Sequence, residues 1–109
     1  MIDSVRRRRD FERLAASTHR ARSATIRVVY CSRESDDAAV AVAFAVGRRV
    51  GSAVARNRIR RRLRAVLQEL EGTMPEGLYL IKCDIGTRDL TYEELRTHLR
   101  ESISRASTR

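Results

Sequence analysis

The chain has 109 residues, 42% hydrophobic and 34% charged, enough for one modest core with little left for a second. Its net charge of +9 points to a polyanionic partner, nucleic acid or an anionic membrane surface. No apolar run approaches the roughly 18 residues of a spanning helix, and Met1 to Asp10 lacks a signal-peptide core, so a membrane partner is not expected and a cytoplasmic location is.

Residues 1–9 read as a basic arm ending in Arg6-Arg7-Arg8-Arg9. Asp10 is a candidate cap for a short helix to about Ala16, with Phe11 and Leu14 on one side. Ser17 to Ser23 is ambiguous and could form a short edge strand. Thr25 to Ser32, rich in β-branched residues, reads as a strand, and Arg33 to Asp37 as a polar turn. Ala38 to Val46 alternates with period two. Val40, Val42, Phe44 and Val46 make a large face expected to bury. Ala39, Ala41, Ala43 and Ala45 make a small one. Two readings of the alanine face stand: a shallow floor across which another chain can lie, or the seat of a closely packed helix.

Gly47 to Gly51 is a glycine-bounded loop carrying Arg48 and Arg49. Ser52 can cap a helix to about Leu70, stopped by Gly72 and Pro75. Six arginines fall among its nine residues 56–64, and no acid interrupts the chain from Ala38 to Gln68. Ile59, Leu63, Val66 and Leu70 set an inward stripe. Arg56, Arg60 and Arg64 form a second stripe, with Arg58, Arg61 and Arg62 on the other flank. Asn57, among them, can donate and accept. A rigid helix with so much uncompensated charge needs a polyanion, and several guanidinium forks can grip a phosphate ridge together. Lys82 is the only lysine among 23 basic residues. That bias fits RNA recognition, where arginine both forks and stacks, and equally fits a genome that replaces lysine with arginine throughout.

Leu78 to Cys83 is a short apolar strand. Thr91 and Glu94 form a capping box for a last helix striped by Tyr92, Leu95, Leu99 and Ile103. The order α-β-β-α-β-α implies an α+β layered domain, helices packed on one small sheet, spanning 1–109 with a short disordered tail over about 105–109. Cys31, Cys83, His19 and His98 are scattered, without metal-ligand spacing, and the two thiols are expected buried in strands in a reducing compartment. Neither paired carboxylates with a histidine nor a nucleophile motif is present, so no catalytic residue is expected in the chain.

The run Gly47-Arg48-Arg49-Val50-Gly51-Ser52-Ala53-Val54-Ala55-Arg56-Asn57-Arg58-Ile59-Arg60-Arg61-Arg62-Leu63-Arg64 resembles the signature of the bacterial ribonuclease P protein component. Arg9-Asp10-Phe11 and Leu90-Thr91-Tyr92-Glu93-Glu94-Leu95 are similar to the starts of that family's first and last helices. The resemblance covers about 5–105. It implies a four-stranded sheet with the topology of a ribosomal small-subunit protein domain, including a left-handed strand-helix-strand crossover against the general rule. It also implies a monomeric protein, one copy per catalytic RNA. The RNA and its magnesium ions would cut the 5′ leader from precursor tRNA; the protein would bind both RNAs. By the same resemblance Arg56, Asn57, Arg58, Arg60, Arg61 and Arg62 would contact the catalytic RNA, assisted by Arg48 and Arg49. A leader-binding cleft would use Phe11, Arg13, Ala15, Val28, Tyr30 and Arg64. A buried, purely structural Phe11 is the alternative at that position.

The chain departs from the family pattern at Ala15, where a second aromatic is frequent. Ile26, Val28 and Val29 replace strand aromatics, with Tyr30 nearby, and Asp84 stands where a basic residue is common. A ribosomal protein that only stabilises RNA structure is the alternative function.

Overall fold

The computed structural model describes residues 2–33 and 40–108. In chain order they form β1 (Ile2–Ser4), α1 (Arg8–Ala16), β2 (His19–Ser23), β3 (Ile26–Cys31), β4 (Val40–Val46), α2 (Ala53–Leu70), β5 (Gly77–Cys83) and α3 (Tyr92–Ser107). Single 3-10 turns occupy Arg48–Val50, Glu71–Thr73 and Thr87–Asp89. The strands make one sheet in the order β1-β4-β5-β3-β2. β4 pairs in parallel with both β1 and β5, while β5-β3 and β3-β2 are antiparallel. The architecture is α+β, and the segment that was ambiguous in sequence, 19–23, is an edge strand. The expected turn beyond Arg33, and Ala38 and Ala39 at the start of the expected strand, lie outside the described residues.

The sheet has a fifth strand because the first residues are not merely an arm. Ile2, Asp3 and Ser4 register with Val40, Ala41 and Val42, and the Val5 amide donates to the Val42 carbonyl at 2.9 Å. Those bonds satisfy backbone groups on β4 that would otherwise form a bare edge. Val5 is buried, and the following arginines, exposed from Arg6 to Arg9, mask this short apolar signal in the sequence. The first helix begins two residues before Asp10, and its cap position, Arg7, makes no side-chain capping bond. Asp10 sits instead in the first turn, where its charge favours the helix dipole. At the other end α3 runs to Ser107 with Ala106 fully buried, so most of the tail expected to be disordered is packed helix.

Period-two alternation gives the sheet two unlike faces. One carries Ile26, Val28, Val40, Val42, Val46, Tyr79 and Ile81, buried against Ile59, Leu63, Val66 and Leu67 of α2 and Leu95, Leu99 and Ile103 of α3. The other carries Val29, Ala41 and Leu78, which pack with Val5 and Leu14. Burying a side chain such as Leu14 contributes about 1.5–3 kcal/mol. Yet α1 has only nine residues and crosses just one end of β3 and β5. The packed-helix reading of the alanine face therefore holds at one end, and the other end is left uncovered. Ala41 is sealed beneath the helix, Ala43 is half-buried and Ala45 is open.

Caps fix the two long helices. Ser52 Oγ accepts from the Ala55 amide at 3.2 Å. Thr91 Oγ1 accepts from the Glu94 amide at 3.1 Å, and Glu94 returns the contact to the Thr91 amide at 2.9 Å. The Thr91 backbone donor, reinforced by the Thr91 side chain, holds the Glu94 carboxyl below its ordinary pKa. Gly77 opens β5 at φ +150, where a Cβ would lie 2.5 Å from a Tyr30 ring carbon and 2.6 Å from the Cys31 carbonyl oxygen.

Candidate RNA-binding surfaces

Helix α2 turns Ile59, Leu63, Val66 and Leu67 inward, with Leu70 partly buried at its end. The arginines take the remaining circumference. Arg58, Arg61 and Arg64 are exposed, and Arg56, Arg60 and Arg62 are half-buried. None of the six forms an ion pair among the described residues. Three are positioned by neutral groups. Arg60 donates to Asn57 Oδ1 at 3.0 Å and to the Val46 carbonyl at 3.5 Å. Arg62 donates to the Leu90 carbonyl at 3.3 Å. The Arg64 guanidinium lies 5.4 Å from the Phe44 ring centroid, a cation–π distance. The Nε of Arg56 is buried without an acceptor. Arg58 and Arg61 project from the helix, and Arg48 and Arg49 are exposed on the turn just before it. Neutral partners orient a guanidinium without cancelling its charge, so the helix keeps its field for an external anion.

A second basic surface lies on the face of the sheet that α1 leaves open. Arg22, Arg27 and Lys82 stand side by side on β2, β3 and β5, and Ala45 of β4 completes the row. Arg20, Val29, Leu80 and Ala43 form the next row towards α1. Neighbouring strands lie about 4.8 Å apart, so three cations are stacked crosswise at close quarters. Two concavities share Arg22, Arg27 and Lys82. One, of about 280 Å³, extends to Arg20; the other, of about 920 Å³, extends past Ala45 to Arg49 and Arg60. The larger one thus links the open sheet face to the arginine helix.

The expected cleft residues fall in three places. On α1, Phe11 is 41% exposed and belongs to neither core cluster, which removes the purely structural alternative; Arg13 is half-buried and Ala15 exposed. Val28 reaches the smaller concavity of the open face without turning its side chain into it. It is fully buried on the opposite face, because alternation that turns Arg27 and Val29 one way turns Val28 the other. Tyr30 shares that parity. Its ring packs 5.0 Å from Tyr79 and stacks 6.2 Å from His19, and its hydroxyl donates to the Glu76 carbonyl at 2.6 Å. It ties strand ends together and meets Arg13 only in a concavity at the sheet edge. Arg64 lies beside β1, in a concavity of about 360 Å³ bounded by Asp3, Phe44, Arg60 and Gln68. The sequence reading missed Arg20, Arg22, Arg27, Leu80, Lys82, Ala43 and Ala45 as one surface. The signal was there in β3: with Val28 assigned to the core, Arg27 faces the other way.

Other polar groups are structural. Burial raises the pKa of both free thiols, that of Cys83 to about 12; Cys83 is buried as expected, Cys31 only half-buried. Ser23 Oγ lies 2.8 Å from His98 Nδ1 and donates to Glu101 at 3.1 Å. The carboxylate faces the serine rather than the imidazole, so the group braces β2 to α3 and is not a nucleophilic triad. Among the described residues no three His, Cys, Asp or Glu side chains gather as a metal site, and no helix is long and apolar enough to cross a membrane.

The sequence profile of the family described as Ribonuclease P matches residues 2–107. The ribonuclease P protein component of Thermobifida fusca is 35% identical over 96% of this chain and 76% of its own length. The fold is also that of solved RNase P proteins. That of Staphylococcus aureus superposes with a TM-score of 0.84 at 18% identity, covering 95% of this chain and 94% of that one. That of Thermotoga maritima gives 0.81 at 19% identity, covering 94% and 96%. A profile match over nearly the whole chain, joined to the arginine helix and the shared fold, establishes that this chain belongs to the ribonuclease P protein component family.

Proposed function

We propose that the chain is the protein subunit of a ribonucleoprotein endonuclease that removes the 5′ leader of precursor tRNA, with α2 gripping the catalytic RNA and the open sheet face holding the leader. The observation that carries the reading is the pair of basic surfaces: six arginines of α2 without acidic partners among the described residues, and the row Arg22-Arg27-Lys82 on the bare end of the sheet, whose three cations face the single carboxylate of Asp84. Family membership supplies the reaction class. Arg58, Arg61, Arg48 and Arg49 reach the catalytic RNA as phosphate contacts, while Arg60, Arg62 and Asn57 stiffen the surface. Small residues at Ala43 and Ala45 leave room for a single strand to lie on the sheet, and Phe11 offers an exposed ring on which a base can stack.

The chemistry belongs to the RNA partner. The magnesium ions expected in the complex need clustered oxygen ligands, which the described side chains do not gather, and RNA phosphates can supply them. What this chain contributes is charge neutralisation and positioning in the cytoplasm, as one copy per RNA. Reconstitution with the cognate catalytic RNA tests this. The protein alone should leave precursor tRNA intact, and with the RNA it should raise cleavage at low magnesium. Turnover by highly purified, RNA-free protein, or no effect of the protein on the RNA's activity, would reject the reading.

A further inference from the structure

The residues lining the two joined concavities of the open sheet face include a single acid, Asp84. Its carboxylate is engaged on both oxygens. Oδ1 accepts from Arg27 at 2.8 Å, and Oδ2 pairs with Arg22 at 3.3 Å. These are two of the three cations in the crosswise row, and the third, Lys82, has no ion pair among the described residues. The backbone of Asp84 is held independently. Its amide donates to the Thr25 carbonyl at 2.9 Å, and its carbonyl accepts from Thr87 Oγ1 at 2.8 Å. The carboxylate thus stands at a fixed point beside the row, each of its oxygens taking one nitrogen of a guanidinium that a phosphate oxygen could otherwise use.

We propose that Asp84 is a tuning residue of the leader site: by pairing with both Arg22 and Arg27 from within the chain it competes with a leader phosphate for them and weakens the grip of this end of the cleft on the leader. The inference rests on the reading of the open face as the leader site. Both pairs are solvent-exposed, with side-chain exposures of 59% and 31% for Arg22–Asp84 and 40% and 31% for Arg27–Asp84. Exposed pairs are weak, so their main effect is not on stability. What they change is the field: one negative charge cancels one of three adjacent positive charges. A strand crossing here meets a row whose net charge is two rather than three, and gains less from Arg22 and Arg27 than from Lys82. The structural alternative is that Asp84 only relieves repulsion within a row of like charges.

The test is Asp84→Asn, which keeps the shape and removes the charge, in holoenzyme reconstituted with the cognate catalytic RNA. Affinity is measured for leader-bearing precursor and for leaderless tRNA across a salt series. Freeing the two guanidinium groups should add one or two phosphate contacts, each steepening the log–log slope by about 0.7 and tightening precursor binding about fivefold at 0.1 M salt relative to 1 M. Leaderless tRNA should be unaffected, and the gain should vanish in an Arg22→Ala, Arg27→Ala background. Unchanged or weaker precursor binding by Asp84→Asn, with wild-type enzyme still preferring precursor, overturns the inference and leaves the leader reading standing. Wild-type enzyme that binds both substrates equally removes the leader reading, and the inference with it. A melting measurement on the same protein covers the structural alternative: a lowered melting temperature without tighter precursor binding overturns the proposal in its favour.

Discussion

Replacing Arg58 and Arg61 together with alanine should separate RNA binding from folding. Both side chains are exposed and make no ion pair among the described residues. Alanine is also the best helix former, so the helix itself loses nothing. Stability should stay within about 0.5 kcal/mol of wild type. If each arginine neutralises one phosphate of the catalytic RNA, the slope of log K against log salt falls by about 0.7–0.9 per residue, or about 1.4–1.8 for the pair. Between 1 M and 0.1 M salt that slope is worth about 25- to 60-fold in affinity. The assay is titration of labelled catalytic RNA with protein at four or more salt concentrations, beside thermal melts. Arg62→Ala is the informative contrast. It removes the donor to the Leu90 carbonyl, an anchor between α2 and the start of α3, so it should cost stability as well as affinity. A double variant whose slope matches wild type would refute the assignment of α2 as the phosphate-contacting surface, whatever its effect at one salt concentration.

Phe11→Ala should weaken binding of leader-bearing precursor by about 1–3 kcal/mol and spare leaderless tRNA, with little change in melting because the ring lies outside both core clusters; equal losses for both substrates would remove it from the leader site. Thr91→Ala removes the side-chain half of the capping box, the Thr91 Oγ1 that accepts from the Glu94 amide, and should cost about 0.5–2 kcal/mol in denaturant unfolding. Because the Thr91 backbone donor remains, the Glu94 carboxyl should rise only part of the way towards its ordinary pKa, which an NMR titration reads directly; as the folded pKa is depressed, the stability it confers is present above the ordinary carboxylate range and lost as pH falls. Cys83, pushed from 9.0 to about 12 chiefly by burial, should resist thiol reagents at pH 8 while half-buried Cys31 reacts first. Its folded pKa is raised, so its contribution to stability is whole below about 9 and fades towards 12; melting should decline with pH over that window less steeply in Cys83→Ala.

Most of the fold was legible because its signals are local. Period two in 40–46, the spacing of Ile59, Leu63 and Val66, the capping serine and the capping box all act within a few residues, and each element lies where those signals put it. Two errors share a cause. At both termini the chain is short, charged and stabilised by distant partners: Ile2 by Val40, and Ala106 by the core under α3. Nothing within a local window reveals that β4 offers an unpaired edge. The arginine helix was legible as a surface because a basic run on an amphipathic helix announces itself. The second surface was not, because its members come from different strands. Arg22, Arg27 and Lys82 become neighbours only through register, and register is a tertiary fact.

That difference explains how the sheet divides its labour. Its α2/α3 face is filled with large side chains from β3, β4 and β5 and supplies the core. The other face is half covered, since α1 ends after nine residues and the alanines of β4 give it little to grip beyond Ala41. A longer α1 would bury more apolar area and would close the floor where half-buried Lys82 and exposed Ala45 stand. Ala45→Leu puts this to the test. It adds a large side chain at an exposed position of the open row, where no close packing is disturbed, so melting should hardly change. If a strand lies on this floor, the added bulk should lower affinity for leader-bearing precursor while leaving assembly with the catalytic RNA, a property of α2, intact. Unaltered precursor binding by a correctly folded Ala45→Leu holoenzyme would mean that the leader does not cross the alanine end of the sheet.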